Sequence, residues 1–202
     1  MLENEDPARE RVFPYDVKFK VSIVGHTLVP PVLQVDCPRT VVRSYRAPGG
    51  RADRFDETET LRLALEWKHD LTVLWLGGND VENTSEPQEI FDNLRAIITN
   101  LEISCGSEVA IVLLEPRLQP QDSPVNADRY RLILRGINRR LQRHFKTYNT
   151  IHFNAQPFQR DLSRDGIHWN AQGRAYVREK LRNFIVRKSN AFFLDRGLGG
   201  PW

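Results

Sequence analysis

In Leu71-Thr72-Val73-Leu74-Trp75-Leu76-Gly77-Gly78-Asn79-Asp80, residues 71–76 are a nearly continuous apolar run of strand length, stopped by two glycines. Unbroken apolarity, rather than alternation, suits a strand buried on both faces of a parallel sheet. Such a sheet needs crossover helices, and the flanking sequence supplies them. On the amino-terminal side, Asp56-Glu57-Thr58 offers capping groups to a helix that carries Leu61, Leu63, Leu65 and Trp67. Before it, Val41–Arg46 is a short strand closed by Pro48-Gly49-Gly50, and Phe19–Gly25 is a β-branched strand ending at glycine. On the carboxyl side, Ile90, Leu94, Ile97, Ile98 and Leu101 recur at helical spacing after Ser85-Glu86-Pro87. Val109–Leu114 is a further apolar strand, and Glu115–Asn126, with three prolines, must be a loop. Tyr130, Leu134, Ile137, Leu141 and Phe145 then form one helical stripe. Thr150–Phe153 is a short last strand and Ala171–Val186 a last helix, with Tyr176, Leu181, Phe184 and Ile185 as its buried face. This alternation predicts an α/β fold, a three-layer α/β/α sandwich around a flavodoxin-like, five-stranded, mainly parallel sheet. Right-handed crossovers put its working loops at the carboxyl ends of the strands.

The chain has 202 residues, 40% of them hydrophobic, and a formal charge of +3. That length and apolar fraction suit one domain with a sizeable core, and exclude a disulfide-stapled miniprotein or a disordered tail. Residues 1–16, charged and holding two prolines, are expected as a disordered lead-in, 17–188 as the domain, and 189–202 as a C-terminal extension outside it. No run approaches a membrane span, and the acidic start Met1–Asp6 lacks the basic and apolar regions of a signal peptide. An intracellular location, cytoplasmic or nuclear, is therefore expected, with no membrane partner. Cys37 and Cys105 are the only cysteines, read as buried thiols, and no Cys/His spacing suggests a metal. His69 and His144 are read as surface residues, His152 as packed near the sheet end, and Trp67 and Trp75 as core. Trp169 is read as a packing residue, and Arg117 as facing either the cleft or, as loop arginines usually do, water. No cofactor is expected.

Four loops at the carboxyl ends could carry chemistry: Gly25-His26-Thr27-Leu28, Pro48-Gly49-Gly50-Arg51, Gly77-Gly78-Asn79-Asp80 and Asp165-Gly166-Ile167-His168. Each alone reads equally well as a turn or a helix cap. Their order resembles the four blocks of the SGNH hydrolases, the GDSL esterase/lipase family, over roughly residues 19 to 186. The Gly-x-Asn-Asp and Asp-x-x-His blocks match closely; in the first block Thr27 stands where the family has its nucleophilic Ser, and His26 where it has Asp. "GHT", "PGGR" and "RDGIHWNAQGRAYV" are in addition similar to the SGNH-like domains of animal retroelement open reading frames.

The resemblance implies an SGNH hydrolase fold and hydrolysis of a small acyl or acetyl ester. Acyl transfer needs a nucleophile, a base, a group to orient the base, and oxyanion donors. Thr27, His168 and Asp165 would fill the first three roles, and the N–H groups at Thr27 and at Gly49 or Gly50, with the Asn79 amide, the last. The methyl of Thr27 stiffens χ1 and crowds attack, so slow catalysis is one expectation and a catalytically silent binding module the other. His26 either bonds locally in place of the family's Asp or faces solvent. The net charge also hides a segregation. Residues 127 to 146 carry seven basic residues against Asp128, whereas residues 51 to 100 carry eleven acids against five basic residues. Arg131, Arg135 and Arg139, at i, i+4 spacing, form either a solvated face or a phosphate-contacting ridge for a nucleic acid.

Overall fold

The computed structural model describes residues 16–115, 117, 125–145, 149–153, 162–163 and 165–199. Five strands, β1 (Phe19–Gly25), β2 (Thr40–Arg46), β3 (Leu71–Trp75), β4 (Glu108–Val112) and β5 (Thr150–Ile151), form one sheet in the order β2-β1-β3-β4-β5. All four pairings are parallel. Among the described residues four helices accompany them: α1 (Glu59–Glu66), α2 (Pro87–Cys105), α3 (Ala127–His144) and α4 (Ala171–Asp195). A short 3-10 segment, Ala52–Glu57, precedes α1. The strand order reverses at β1/β3, and ligands of open α/β sheets bind outside the carboxyl ends at that point.

The two-residue period of the strands divides the core. Val24, Leu74, Val109 and Ile111 face α1, α2 and α3, meeting Leu61, Leu94, Ile98 and Ile137. Val21, Ile23, Leu71, Val73, Trp75, Ala110 and Val112 face the other way, onto Val177, Leu181, Phe184 and Ile185 of α4. That second face has one long helix and the irregular segment 26–39, whose Val29 and Leu33 are buried. Local chemistry sets the helix starts. Thr58 caps α1 by accepting the Leu61 N–H at 3.2 Å, Pro87 opens α2, and Asn126 and Asn170 accept from Arg129 N–H and Gly173 N–H at 2.8 and 3.0 Å.

The last helix differs from its expected length, running to Asp195 rather than Val186. Residues 189–198 are packed on the domain rather than lying outside it. Ser189 and Phe193 are fully buried, Ser189 Oγ lies 2.7 Å from Thr40 Oγ1, and Arg39 donates to Leu198 O at 3.2 Å while stacking 4.0 Å over the Phe193 ring. Phe193 continues the buried spacing of Ile185 and Ser189, which the polar pair Ser189-Asn190 conceals in the sequence. Two histidines also differ from expectation. His69 is buried, its Nδ1–H donating to Trp67 O and its Nε2 accepting from the Thr72 hydroxyl, both at 2.6 Å, whereas His152 is exposed. Trp67 is half-buried under the Arg43 guanidinium rather than in the core. The expected lead-in 1–15, most of the loop 116–124 and residues 200–202 lie outside the described residues.

Candidate active site

Glycine at position 25 is required by close approach: a Cβ there would stand 2.0 Å from Trp75 O across the β1–β3 pair. The chain then turns sharply. His26 N–H donates to Trp75 O and Val29 N–H to His26 O, both at 3.2 Å, and His26 Nδ1 accepts the Leu28 N–H at 3.2 Å. Thr27 is thereby held at the apex, half-buried, with its carbonyl accepting from Arg46 Nη2 at 2.9 Å. The His26 ring is buried against Trp75. Burial, with the charge of Arg117 and then that of His168, pushes its pKa down to about 3, so it is neutral with the proton on Nε2. Of the two readings of His26, the local hydrogen bond is the observed one.

After β2, Ala47-Pro48-Gly49-Gly50 forms a type II turn, with proline at its second position, Gly49 at φ +70° and the Gly50 N–H returned to Ala47 O at 2.9 Å. The Gly50 N–H, one of the two candidate donors, is thus engaged within the turn. Asn79 docks this turn to the loop after β3, its Nδ2 donating to Gly50 O at 3.0 Å, with the second amide hydrogen left to a ligand. Asp80 Oδ1 accepts the N–H groups of Ala52 and Asp53 at 2.7 and 3.2 Å, so the Asn-Asp pair fixes both ends of one loop.

Arg117 does not face water. Its Nη2 donates to Asn79 Oδ1 at 2.6 Å and its guanidinium lies 5.7 Å from the Tyr130 ring centroid. That bond and the one to Gly50 O fix the orientation of the Asn79 amide; Asn79, like Gly49 and Gly50, is not among the residues lining the cavity that Thr27 and His168 share. Of the two readings of Arg117 the inward one is observed; the sequence left it open because the partner that turns Arg117 inward lies 38 positions away.

Asp165 organises the last loop. Oδ1 accepts the N–H groups of Ile167 and His168, each at 2.9 Å, and Oδ2 accepts the His168 Nδ1–H at 2.6 Å. The Ile167 N–H above all, then the His168 ring, hold the carboxyl at about 2, so it is ionised. The bond at Nδ1 leaves Nε2 as the available ring nitrogen. Trp169, buried against Phe153, packs as expected. Thr27 and His168 line the same cavity of about 200 Å³. The structure therefore brings all four motif loops to the carboxyl ends of β1, β2 and β3 and to the start of α4.

Beneath the turn lies a smaller cavity of about 20 Å³, lined by His26, Trp75, Glu115, Arg117, Tyr130 and Trp169, with room for a single water. Glu115 Oε1 is fully enclosed there and has no hydrogen-bond partner among the described residues. Burial, offset by the Trp75 side chain and the Arg117 charge, raises its pKa to about 8. Between about 4.5 and 8 this carboxyl binds more protons in the folded than in the unfolded chain. Its contribution to stability is full below the unfolded value and falls as pH rises through the window, by at most about 1.4 kcal/mol per pH unit. Below about 6.5 the buried, neutral His26 acts in the opposite direction, so the net decline is expected above that value. Glu115→Gln, which cannot ionise, should flatten that decline; urea unfolding of both proteins at pH 6 and 8.5 measures it.

The basic helix is separate. Arg131 pairs with Asp128 at 3.2 Å, while Arg135 and Arg139 are exposed on α3, and none of the three lines the cavity shared by Thr27 and His168. Among the described residues no group of three His, Cys, Asp or Glu could hold a metal ion, and no helix is long and apolar enough to cross a membrane.

The parallel sheet and this set of loops define an SGNH-type α/β hydrolase fold. The chain belongs to the GDSL-like lipase/acylhydrolase family, whose family model matches residues 23–176. Solved structures agree. A GDSL-like lipase from Bacteroides thetaiotaomicron is 16% identical with a TM-score of 0.64, covering 84% of this chain and 88% of its own. The lipase/acylhydrolase from Enterococcus faecalis is 15% identical with a TM-score of 0.64, covering 83% and 95%. An acetyl xylan esterase is 17% identical with a TM-score of 0.60, covering 82% and 98%. At these identities the likeness is one of fold. No curated protein matches the chain by sequence.

Proposed function

We propose that the protein hydrolyses small acyl or acetyl esters, with Thr27 as nucleophile, His168 as general base and Asp165 as the group that orients it. The observation that carries this reading is the Asp165–His168 bond of 2.6 Å on a ring that shares a cavity with Thr27. His168 Nε2 takes the proton of Thr27 Oγ1 as that oxygen attacks the ester carbonyl. The oxyanion forms against the N–H groups of Thr27 and Gly49 and the free Asn79 Nδ2–H. Collapse breaks the ester C–O bond, and His168 returns its proton to the leaving alcohol. Water then attacks acyl-Thr27 by the same route, its proton passing through His168 to Thr27, and the carboxylic acid leaves.

The extra methyl makes Thr27 a stiff and crowded nucleophile. Thr27→Ser should therefore raise turnover of an acetyl ester, and Thr27→Ala should bring it to background. Equal background turnover in wild type and both variants would overturn the hydrolase reading and favour a silent binding module.

Arg117 acts as a positioning residue by fixing the Asn79 amide. Losing one oxyanion donor costs about 10²- to 10³-fold in kcat, and misorienting it costs less. Arg117→Met should lower kcat about tenfold or more with little change in KM, and Arg117→Lys should recover part of the loss; steady-state kinetics on the three proteins checks it.

A further inference from the structure

The cavity shared by Thr27 and His168 has an unbalanced charge. Among the described residues its lining includes Arg46, Arg174 and Arg178 and no aspartate or glutamate. The nearby carboxylate, Asp165, has both oxygens engaged with His168 and the loop's own N–H groups. Arg174 and Arg178 stand at i and i+4 on the first turns of α4, a spacing at which like charges on a helix repel. The amino end of α4 adds to the positive field, since Ala171, Gln172 and Gly173 leave its first turn without an acid. Arg46 approaches from the other side, at the end of β2.

The arginines are differently tethered. Arg46 Nη2 holds Thr27 O at 2.9 Å and Arg174 Nη1 holds Trp169 O at 2.8 Å, which fixes each guanidinium while leaving further N–H groups unspent. Arg178 is exposed and has no carboxylate partner among the described residues. Apart from Thr27 and His168, the rest of the described lining is mostly apolar, with Leu28, Val29, Pro30 and Val177 among it. A cavity of about 200 Å³ is small for a long acyl chain, and its shape offers a short apolar patch beside a cationic rim.

We infer that this site selects short acyl esters whose alcohol portion carries an anionic group, a phosphate or a carboxylate, held by Arg174 and Arg178 with Arg46 completing the rim. The inference rests on the hydrolase reading above for the ester, and on the arginine cluster alone for the anion. Guanidinium groups present paired donors that match either anion, and a charge-assisted bond is the stronger kind. Binding through the substrate's remote charge would place the ester carbonyl against Thr27, where orientation governs rate.

Three matched acetates test it: 2-acetoxyethyl phosphate, acetoxyacetate and the neutral 2-methoxyethyl acetate. Wild type should favour at least one anionic ester over the neutral one by about tenfold in kcat/KM, the phosphate and carboxylate arms showing which anion is preferred. That ratio should collapse in Arg174→Gln/Arg178→Gln, and should persist in Arg187→Gln, which removes a charge from the far part of the same helix. A wild-type ratio near one, or the same ratio in the double variant, would overturn the inference while leaving the hydrolase reading intact. Turnover of none of the three would instead count against the hydrolase reading. The anion site is then judged by binding: 2-hydroxyethyl phosphate and glycolate should change tryptophan fluorescence, through Trp169 in the cavity wall, in wild type and not in the double variant. No fluorescence change in wild type with either anion would overturn the inference.

Discussion

Replacing His168 by alanine should lower kcat/KM for acetyl esters by about 10³-fold or more and barely move the thermal unfolding midpoint. The ring is exposed, and its one ion-pair partner, Asp165, keeps its two backbone N–H donors when the imidazole is removed. Exposed pairs of this kind contribute about 1 kcal/mol or less to stability. The chemical loss is much larger, because no other described side chain in the cavity can take a proton from Thr27: the arginines that share its lining remain charged. Residual turnover from substrate binding and the oxyanion donors should remain. Steady-state kinetics alongside a thermal melt separates the two effects; a variant that keeps its activity would remove His168 from the reaction.

Gly25→Ala should cost about 4 kcal/mol or more of stability, among the largest effects a single methyl can have. The added Cβ would meet Trp75 O at 2.0 Å, Trp75 C at 2.7 Å and Val29 Cγ2 at 3.1 Å. Two of these are backbone atoms of a central strand paired on both sides, with no freedom to step aside. The end of β1 must therefore separate from β3, breaking the His26 N–H bond to Trp75 O that starts the Thr27 turn. Urea unfolding measures the stability, and acetyl-ester turnover under native conditions should fall with it, since the turn that aims Thr27 has lost its anchor. Near-native stability would contradict the β1–β3 packing described above.

β3 was legible because burial on both faces leaves a nearly continuous apolar run, and it falls within one residue of its expected bounds. β1, interrupted by Lys20 and Ser22, was legible from its β-branched residues and terminal glycine and matches its expected bounds. The motif loops were legible because Gly49 and Asp165 perform local tasks, in the turn after β2 and in the loop before α4. What the sequence hid depends on distant partners. His69 carries no mark of the Thr72–Ser107 hydroxyl chain that satisfies it in the core. Arg117 is turned inward by Asn79 and Tyr130, from two other elements. The end of α4 was obscured by Ser189 and Asn190, whose polarity suggests a terminus, although Ser189 is buried with a hydroxyl partner on β2. His152 follows the shortest strand, where two paired residues give no pattern to separate an inward from an outward position.

The most direct measurement of the account is covalent capture at Thr27. A fluorophosphonate should lose fluoride as Thr27 Oγ1 bonds to phosphorus, with His168 taking the hydroxyl proton, and peptide mass spectrometry should find the phosphonyl group on Thr27. The label should be absent from Thr27→Ala and faster to form on Thr27→Ser. A wild-type protein that turns over acetyl esters yet carries no label on Thr27, or carries it on another residue, would contradict the assignment of the nucleophile on which the mechanism stands.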